Sequence, residues 1–120
     1  MGLLLDSTII IDHFNGIKMA TDFIIQHQTQ IFLSVITRAE SLTGSDEHTI
    51  ASATKFLNFF TTLPITVHEA DIAATLRRTE KWKLPDALQA AIAKSHKLKF
   101  VTRNSEDFSI NKYKFVMIPY

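Results

Sequence analysis

A chain of 120 residues, 46% apolar, with three glycines and no cysteine, is long enough for one domain with a real core. That composition excludes a disordered or low-complexity chain, a disulfide framework and any thiolate metal site. The formal charge of +1 hides an uneven distribution, because Arg77, Arg78, Lys81, Lys83, Lys94, Lys97, Lys99 and Arg103 all lie in the second half.

Taken in order, the chain alternates between strand and helix signals. Leu3-Leu4-Leu5 is too short for a free-standing helix and reads as a strand buried on both faces. Asp6, Ser7 and Thr8 suit the cap of a helix over Ile9–Phe14. The leading run is too short for a secretion signal, and no stretch reaches the roughly 18 apolar residues of a membrane span, so a cytoplasmic protein is expected. Ala20, Phe23, Ile24 and His27 recur at helical spacing between Ile17 and Gln28. Ile31-Phe32-Leu33 is the next strand, and Ser34 caps a helix from Val35 to Leu42 that stops at Gly44.

Asp46 is expected to cap a longer helix with a stripe of Ile50, Ala53, Leu57 and Phe60, flanked by Phe56 and Phe59. Apolar residues on more than one face mark that helix as either core filling or an interface. Leu63–Val67 contains Pro64 and reads as a short edge strand. Thr66 and Glu69 form a capping box for the helix carrying Ile72, Ala73, Leu76 and Thr79. Pro85 starts a helix with Leu88, Ala91 and Ile92 on its core face and Ala87 and Ala90 allowing close packing. Leu98–Thr102 is a strand, Ser105–Phe108 a turn, and Phe115–Ile118 a final strand.

Such alternation predicts an α/β fold, three layers with a mainly parallel central sheet. The crossover rule gathers the C-terminal ends of the strands on one edge. That edge receives Asp6, Ser34, and Asn104 with Asp107, while Glu40 and Asp86 lie on helices near it. Each acid also has a structural reading: Asp6 as a helix cap, Glu40 as the partner of Thr37 in a capping box, Asp86 as a favourable charge at a helix start, Asp107 as a turn residue. Read together, they make an oxygen-only cluster that suits a hard cation, Mg2+ or Mn2+.

Four segments resemble PIN-domain ribonucleases, in particular the small VapC-type toxins of toxin–antitoxin pairs. They are Leu4-Leu5-Asp6-Ser7-Thr8-Ile9-Ile10-Ile11-Asp12, Leu33-Ser34-Val35-Ile36-Thr37-Arg38-Ala39-Glu40, Leu84-Pro85-Asp86-Ala87-Leu88-Gln89-Ala90-Ala91-Ile92-Ala93 and Val101-Thr102-Arg103-Asn104-Ser105-Glu106-Asp107-Phe108. They occur in the family's order and span nearly the whole chain, as a single PIN domain over residues 1–120. Two positions depart from the family pattern: Thr8 stands where asparagine is usual, and Asn104 stands where many members have aspartate.

The resemblance implies a parallel sheet of about five strands and metal-dependent hydrolysis of RNA phosphodiesters. It implies Asp6, Glu40, Asp86 and Asp107 as catalytic residues, with Asn104 joining them around one or two Mg2+ or Mn2+ ions. It also implies a cognate antitoxin, a homodimer and a role in blocking translation. Around that centre, Thr8, Ser34 and Thr102 are expected to hydrogen-bond the carboxylates. Arg103, Lys81 and Lys83 are expected to hold RNA phosphates. Trp82 reads either as packing or as a stacking platform for an unpaired base. The alternative function is a PIN-like module that binds RNA or a protein without cutting.

Overall fold

The computed structural model describes residues 2–120. Five strands form its sheet: β1 (Leu3–Leu5), β2 (Ile31–Ser34), β3 (Thr61–Leu63), β4 (Lys99–Val101) and β5 (Val116–Met117). Their order is β3-β2-β1-β4-β5 and every pairing is parallel. β1 is central, with Leu3 opposite Ile31 on one side and Lys99 on the other.

Successive side chains of a strand point to opposite faces, and β1 divides its leucines accordingly. Leu3 and Leu5 join a core with Ile9, Ile24, Leu33 and Leu57. Leu4 joins a second core with Ala90, Ala91, Phe100 and Phe108. Helices α1 (Ser7–Phe14), α2 (Lys18–His27), α3 (Val35–Thr43) and α4 (Ile50–Leu57) supply residues packed in the first core. Helices α5 (Val67–Glu80) and α6 (Leu84–Ser95) cover the other face through Ala73, Ala87 and Ala90, whose small side chains bring the helices close. Burying a leucine of β1 contributes about 1.5–3 kcal/mol, so both faces hold this strand in place.

Three expectations shift on inspection. The edge strand is Thr61–Leu63 rather than Leu63–Val67. It ends just before Pro64, which has no N–H for a ladder. Asp46 does not cap α4; its Oδ1 accepts from the N–H groups of His48 and Thr49 at 2.8 and 3.0 Å, making a separate turn before Ile50. The aromatic helix is split between roles, with Leu57 and Phe60 buried in the core and Phe59 70% exposed. The capping box is present: the N–H and hydroxyl of Thr66 both donate to Glu69 Oε1, at 2.9 and 2.6 Å. No helix among the described residues is long and apolar enough to cross a membrane.

Candidate active site

The chain builds β1, β2 and β3 outward in one direction, then returns through α5 and α6 to place β4 and β5 on the other side. The reversal point lies between β1 and β4, where open α/β sheets leave a crevice at the strands' C-terminal ends. Asp6 follows β1 and Thr102 follows β4, and the two segments are tied by Asp6 N–H donating to Val101 O at 2.8 Å.

Asp6 is only 6% exposed. Its Oδ1 accepts from Ser7 N–H at 2.8 Å, and its Oδ2 accepts from the hydroxyls of Thr102 at 2.7 Å and Thr8 at 3.2 Å. Burial raises its pKa, and hydrogen bonds from Thr102, Ser7, Thr8 and Gln89 pull the other way. Thr8 and Thr102 therefore both reach a carboxylate, as their positions predict. Ser7, unremarked in the sequence beyond its capping role, donates its hydroxyl to Glu40 Oε1 at 2.9 Å and brings α3 to the end of β1. Glu40 is thus held by Ser7 rather than by a capping box with Thr37; Ser34 caps α3 by accepting from Thr37 N–H at 3.0 Å.

Asp86 occupies the first turn of α6 and has its pKa pushed up to about 6, by burial first and then by the negative charges of Asp6, Asp107 and Glu40. Lys83 offsets part of this. The four acids selected from the sequence therefore share one electrostatic neighbourhood. Asn104 and Asp107 bond reciprocally: Asn104 Nδ2 donates to Asp107 Oδ2 at 2.9 Å, and Asp107 N–H donates to Asn104 Oδ1 at 3.2 Å. The amide of Asn104 thereby steers the carboxylate of Asp107, while its own N–H donates to the Thr102 hydroxyl at 3.0 Å.

Ser34 behaves differently from expectation. Its hydroxyl donates not to a carboxylate but to Gln89 Oε1, at 2.6 Å. Gln89 is 1% exposed, and its Nε2 donates to Thr37 Oγ1 at 2.6 Å. The Thr37 hydroxyl in turn donates to Leu5 O at 3.0 Å. Sequence reading missed Gln89, although a polar residue one turn after Asp86 on an alanine-rich face was its visible signal. It missed Asp12 too. Asp12 is buried, paired with Arg103 Nε at 2.6 Å, and accepts the Tyr120 hydroxyl at 2.8 Å. Arg103 thus pairs with Asp12 through Nε and Nη2 while its side chain stays 46% exposed, and Lys81 and Lys83, between α5 and α6, are exposed as well. Trp82 is 3% exposed, packs on Phe108 and donates its indole N–H to Asp107 O at 3.0 Å, so it is packing and offers no face to a base. A groove of about 510 Å³ opens beside Glu40, with His13, Phe14, Ser41 and Phe56 in its lining.

The donors at this centre fit a hard cation. They are carboxylate, hydroxyl and amide oxygens, and the charge they concentrate adds to burial in lifting Asp86. Among the described residues no three His, Asp or Glu side chains close into a ready-made cage. Magnesium does not require one, since it keeps several waters and takes one or two carboxylates plus substrate oxygens.

A doubly wound parallel sheet with acids gathered at its switch point defines the class. The chain belongs to the PIN domain family, whose profile matches residues 3–113. Among solved structures, it is similar to a chain of a toxin–antitoxin complex from Klebsiella pneumoniae, with 32% identity, a TM-score of 0.90, and 99% of this chain and 98% of that one covered. A chain of FitAcB from Neisseria gonorrhoeae matches at 24% identity and TM-score 0.81, covering 98% and 97%. A chain of DNA-bound VapBC from Salmonella typhimurium matches at 19% and 0.78, covering 90% of each. The last two bear on the fold alone. No curated protein sequence matches the chain.

Proposed function

We propose that this PIN domain is a metal-dependent endoribonuclease and the toxin of a toxin–antitoxin pair. The observation that carries the proposal is Asp86, half-buried among Asp6, Glu40 and Asp107 and lifted to a pKa of about 6 by burial and their charge. A site that concentrates carboxylates against burial has a use for a cation. In this reading Asp6 and Asp86 hold Mg2+ or Mn2+, one ion or two, with Glu40 and Asp107 completing the oxygen set. When bound, the ion would lower the pKa of a water so that it could attack a phosphodiester as hydroxide, and would supply charge to stabilise the leaving oxygen.

The protein's own groups do the positioning. Thr102, Thr8 and Ser7 N–H fix the Asp6 carboxylate from three directions. Ser7 holds Glu40, which in this reading would orient the attacking water. Asn104 orients Asp107. Lys81 and Lys83 lie at the entrance to α6, where their charges meet RNA phosphates without reading sequence.

The resemblance to a toxin–antitoxin complex supports a cognate antitoxin as partner. We place an antitoxin segment in the groove beside Glu40, near enough to obstruct the acids, and a homodimer contact on exposed apolar residues that include Phe59. A cytoplasmic location follows from the same reading. The test is incubation of antitoxin-free protein with total cellular RNA and magnesium. Discrete fragments support the nuclease; intact RNA, bound equally with or without metal, favours the non-cutting module.

A further inference from the structure

We propose that Lys94, Lys97 and Lys99 form a second phosphate-binding surface, at the sheet edge opposite the carboxylates, that grips RNA beyond the bond being cut. This rests on the ribonuclease reading above and extends it to the length of substrate. Helix α6 has Asp86 in its first turn and Lys94 in its last, so the two sites sit at opposite ends of one rigid element. Eight residues of helix separate them by about 12 Å along the axis. The sheet repeats the arrangement, because Lys99 begins β4, opposite Leu3, while Thr102 follows its other end.

The three lysines line a cleft of about 300 Å³ with Leu98 and Phe115. The Lys94 ammonium stands 4.4 Å from the centroid of the Phe115 ring, a contact that holds a cation at the lip without neutralising it. Among the described residues none of the three forms an ion pair with an acid. Glu69 reaches this end of α6, but its carboxylate is engaged by Thr66 and by the Ser95 hydroxyl at 2.9 Å. No acid occurs in the sequence between Asp86 and Glu106. Lys99 donates to Lys114 O, which draws the 114 segment to the same rim. In a chain of net charge +1, three lysines without an ion-paired acid, against the single carboxylate of Glu69, are a net positive local field for a polyanion.

The chemistry recognised is the phosphate backbone, and the continuity of α6 with the candidate active site makes RNA the polyanion that meets both ends. The experiment measures binding of a fluorescent RNA of ~20 nucleotides and one of ~4 nucleotides across a salt series, in excess chelator so that no turnover occurs. Each phosphate contact on a single strand contributes about 0.7 to the slope of log affinity against log salt, so three contribute about 2. The Lys94→Gln/Lys97→Gln/Lys99→Gln protein is expected to lose about 2 from that slope and about tenfold in affinity for the long RNA. The short RNA should bind as it does to the unaltered protein, and the triple Lys→Arg protein should restore the long RNA. An unchanged slope, or an arginine variant as weak as the glutamine one, overturns the proposal. So does a slope loss seen with duplex DNA of equal length and not with RNA. Unaltered protein that binds long RNA but never cuts it in magnesium sinks the ribonuclease reading alone, whereas cleavage with an unchanged slope sinks the surface alone.

Discussion

The hydroxyl of Thr102 donates to Oδ2 of Asp6 at 2.7 Å, joining residues 96 positions apart at the ends of β4 and β1. The same oxygen of Thr102 accepts the Asn104 N–H, so one side chain orients both the first acid and the turn that carries Asp107. Thr102→Val keeps the shape and removes the donor. Loss of an outer hydrogen bond to a metal ligand typically costs 10–100-fold in metal affinity or activity. We expect a drop of that size in metal-dependent RNA cleavage, with Thr102→Ser retaining most of it. Full activity of the valine variant would remove Thr102 from the site.

Asp86 has a clear sign in its pH dependence. Its folded-state pKa, about 6, exceeds the ordinary 3.8, so between those values the folded protein holds more protons than the unfolded one. Stability of metal-free protein therefore falls through this window as pH rises. Above it, the ionised carboxylate remains a liability of about 1–2 kcal/mol after allowance for solvent screening. Asp86→Asn is expected to melt higher than the unaltered protein at pH 7 in chelator, and no higher near pH 3.5. Manganese should raise the melting temperature of the unaltered protein and leave that of the variant largely unmoved. A variant that melts lower at pH 7 would contradict the crowding of charge around this side chain.

Gln89 links Ser34 on β2 to Thr37 on α3, with every polar atom of the trio partnered inside the protein. Gln89→Leu leaves the Ser34 hydroxyl without its acceptor and Thr37 without a donor. A cost of about 2 kcal/mol is expected in urea unfolding. Gln89→Glu introduces a buried charge beside Asp6 and should be worse at pH 7 than at pH 5.

Glu69 makes the opposite electrostatic prediction. The Thr66 hydroxyl and N–H, and then the Ser95 hydroxyl, hold its pKa down at about 2, from an ordinary 4.5. Its contribution is present above the unfolded value and is lost as pH falls through the interval toward 2. Glu69→Gln should lower stability by about 1–2 kcal/mol at pH 7, with the difference closing in acid. Equal curves at neutral pH would show that the bonds joining α5 to α6 contribute nothing net.

The parallel sheet was legible because buried strands announce themselves as unbroken apolar runs, as Leu3-Leu4-Leu5 and Ile31-Phe32-Leu33 do. The crossover rule then carried Asp6, Glu40, Asp86 and Asp107 to one edge with no coordinates. What stayed hidden depends on pairing across long stretches of chain. Nothing local says that Ser34 turns to Gln89, or that Arg103 folds back to pair with Asp12. Trp82, between two lysines, left packing and base stacking both open, and packing is what is found: the indole is sealed by Phe108 and Tyr113, which arrive from a later loop. The shifted edge strand has a simpler cause: Pro64 ends the ladder instead of lying in it.

The most direct test is RNA cleavage by purified, antitoxin-free protein in magnesium or manganese, then in excess chelator, with folded Asp86→Asn protein run in parallel. The expected result is discrete fragments that require the metal and are absent with the variant. Cleavage that persists in chelator, or at full rate with asparagine at position 86, would contradict a metal centre built on this carboxylate cluster.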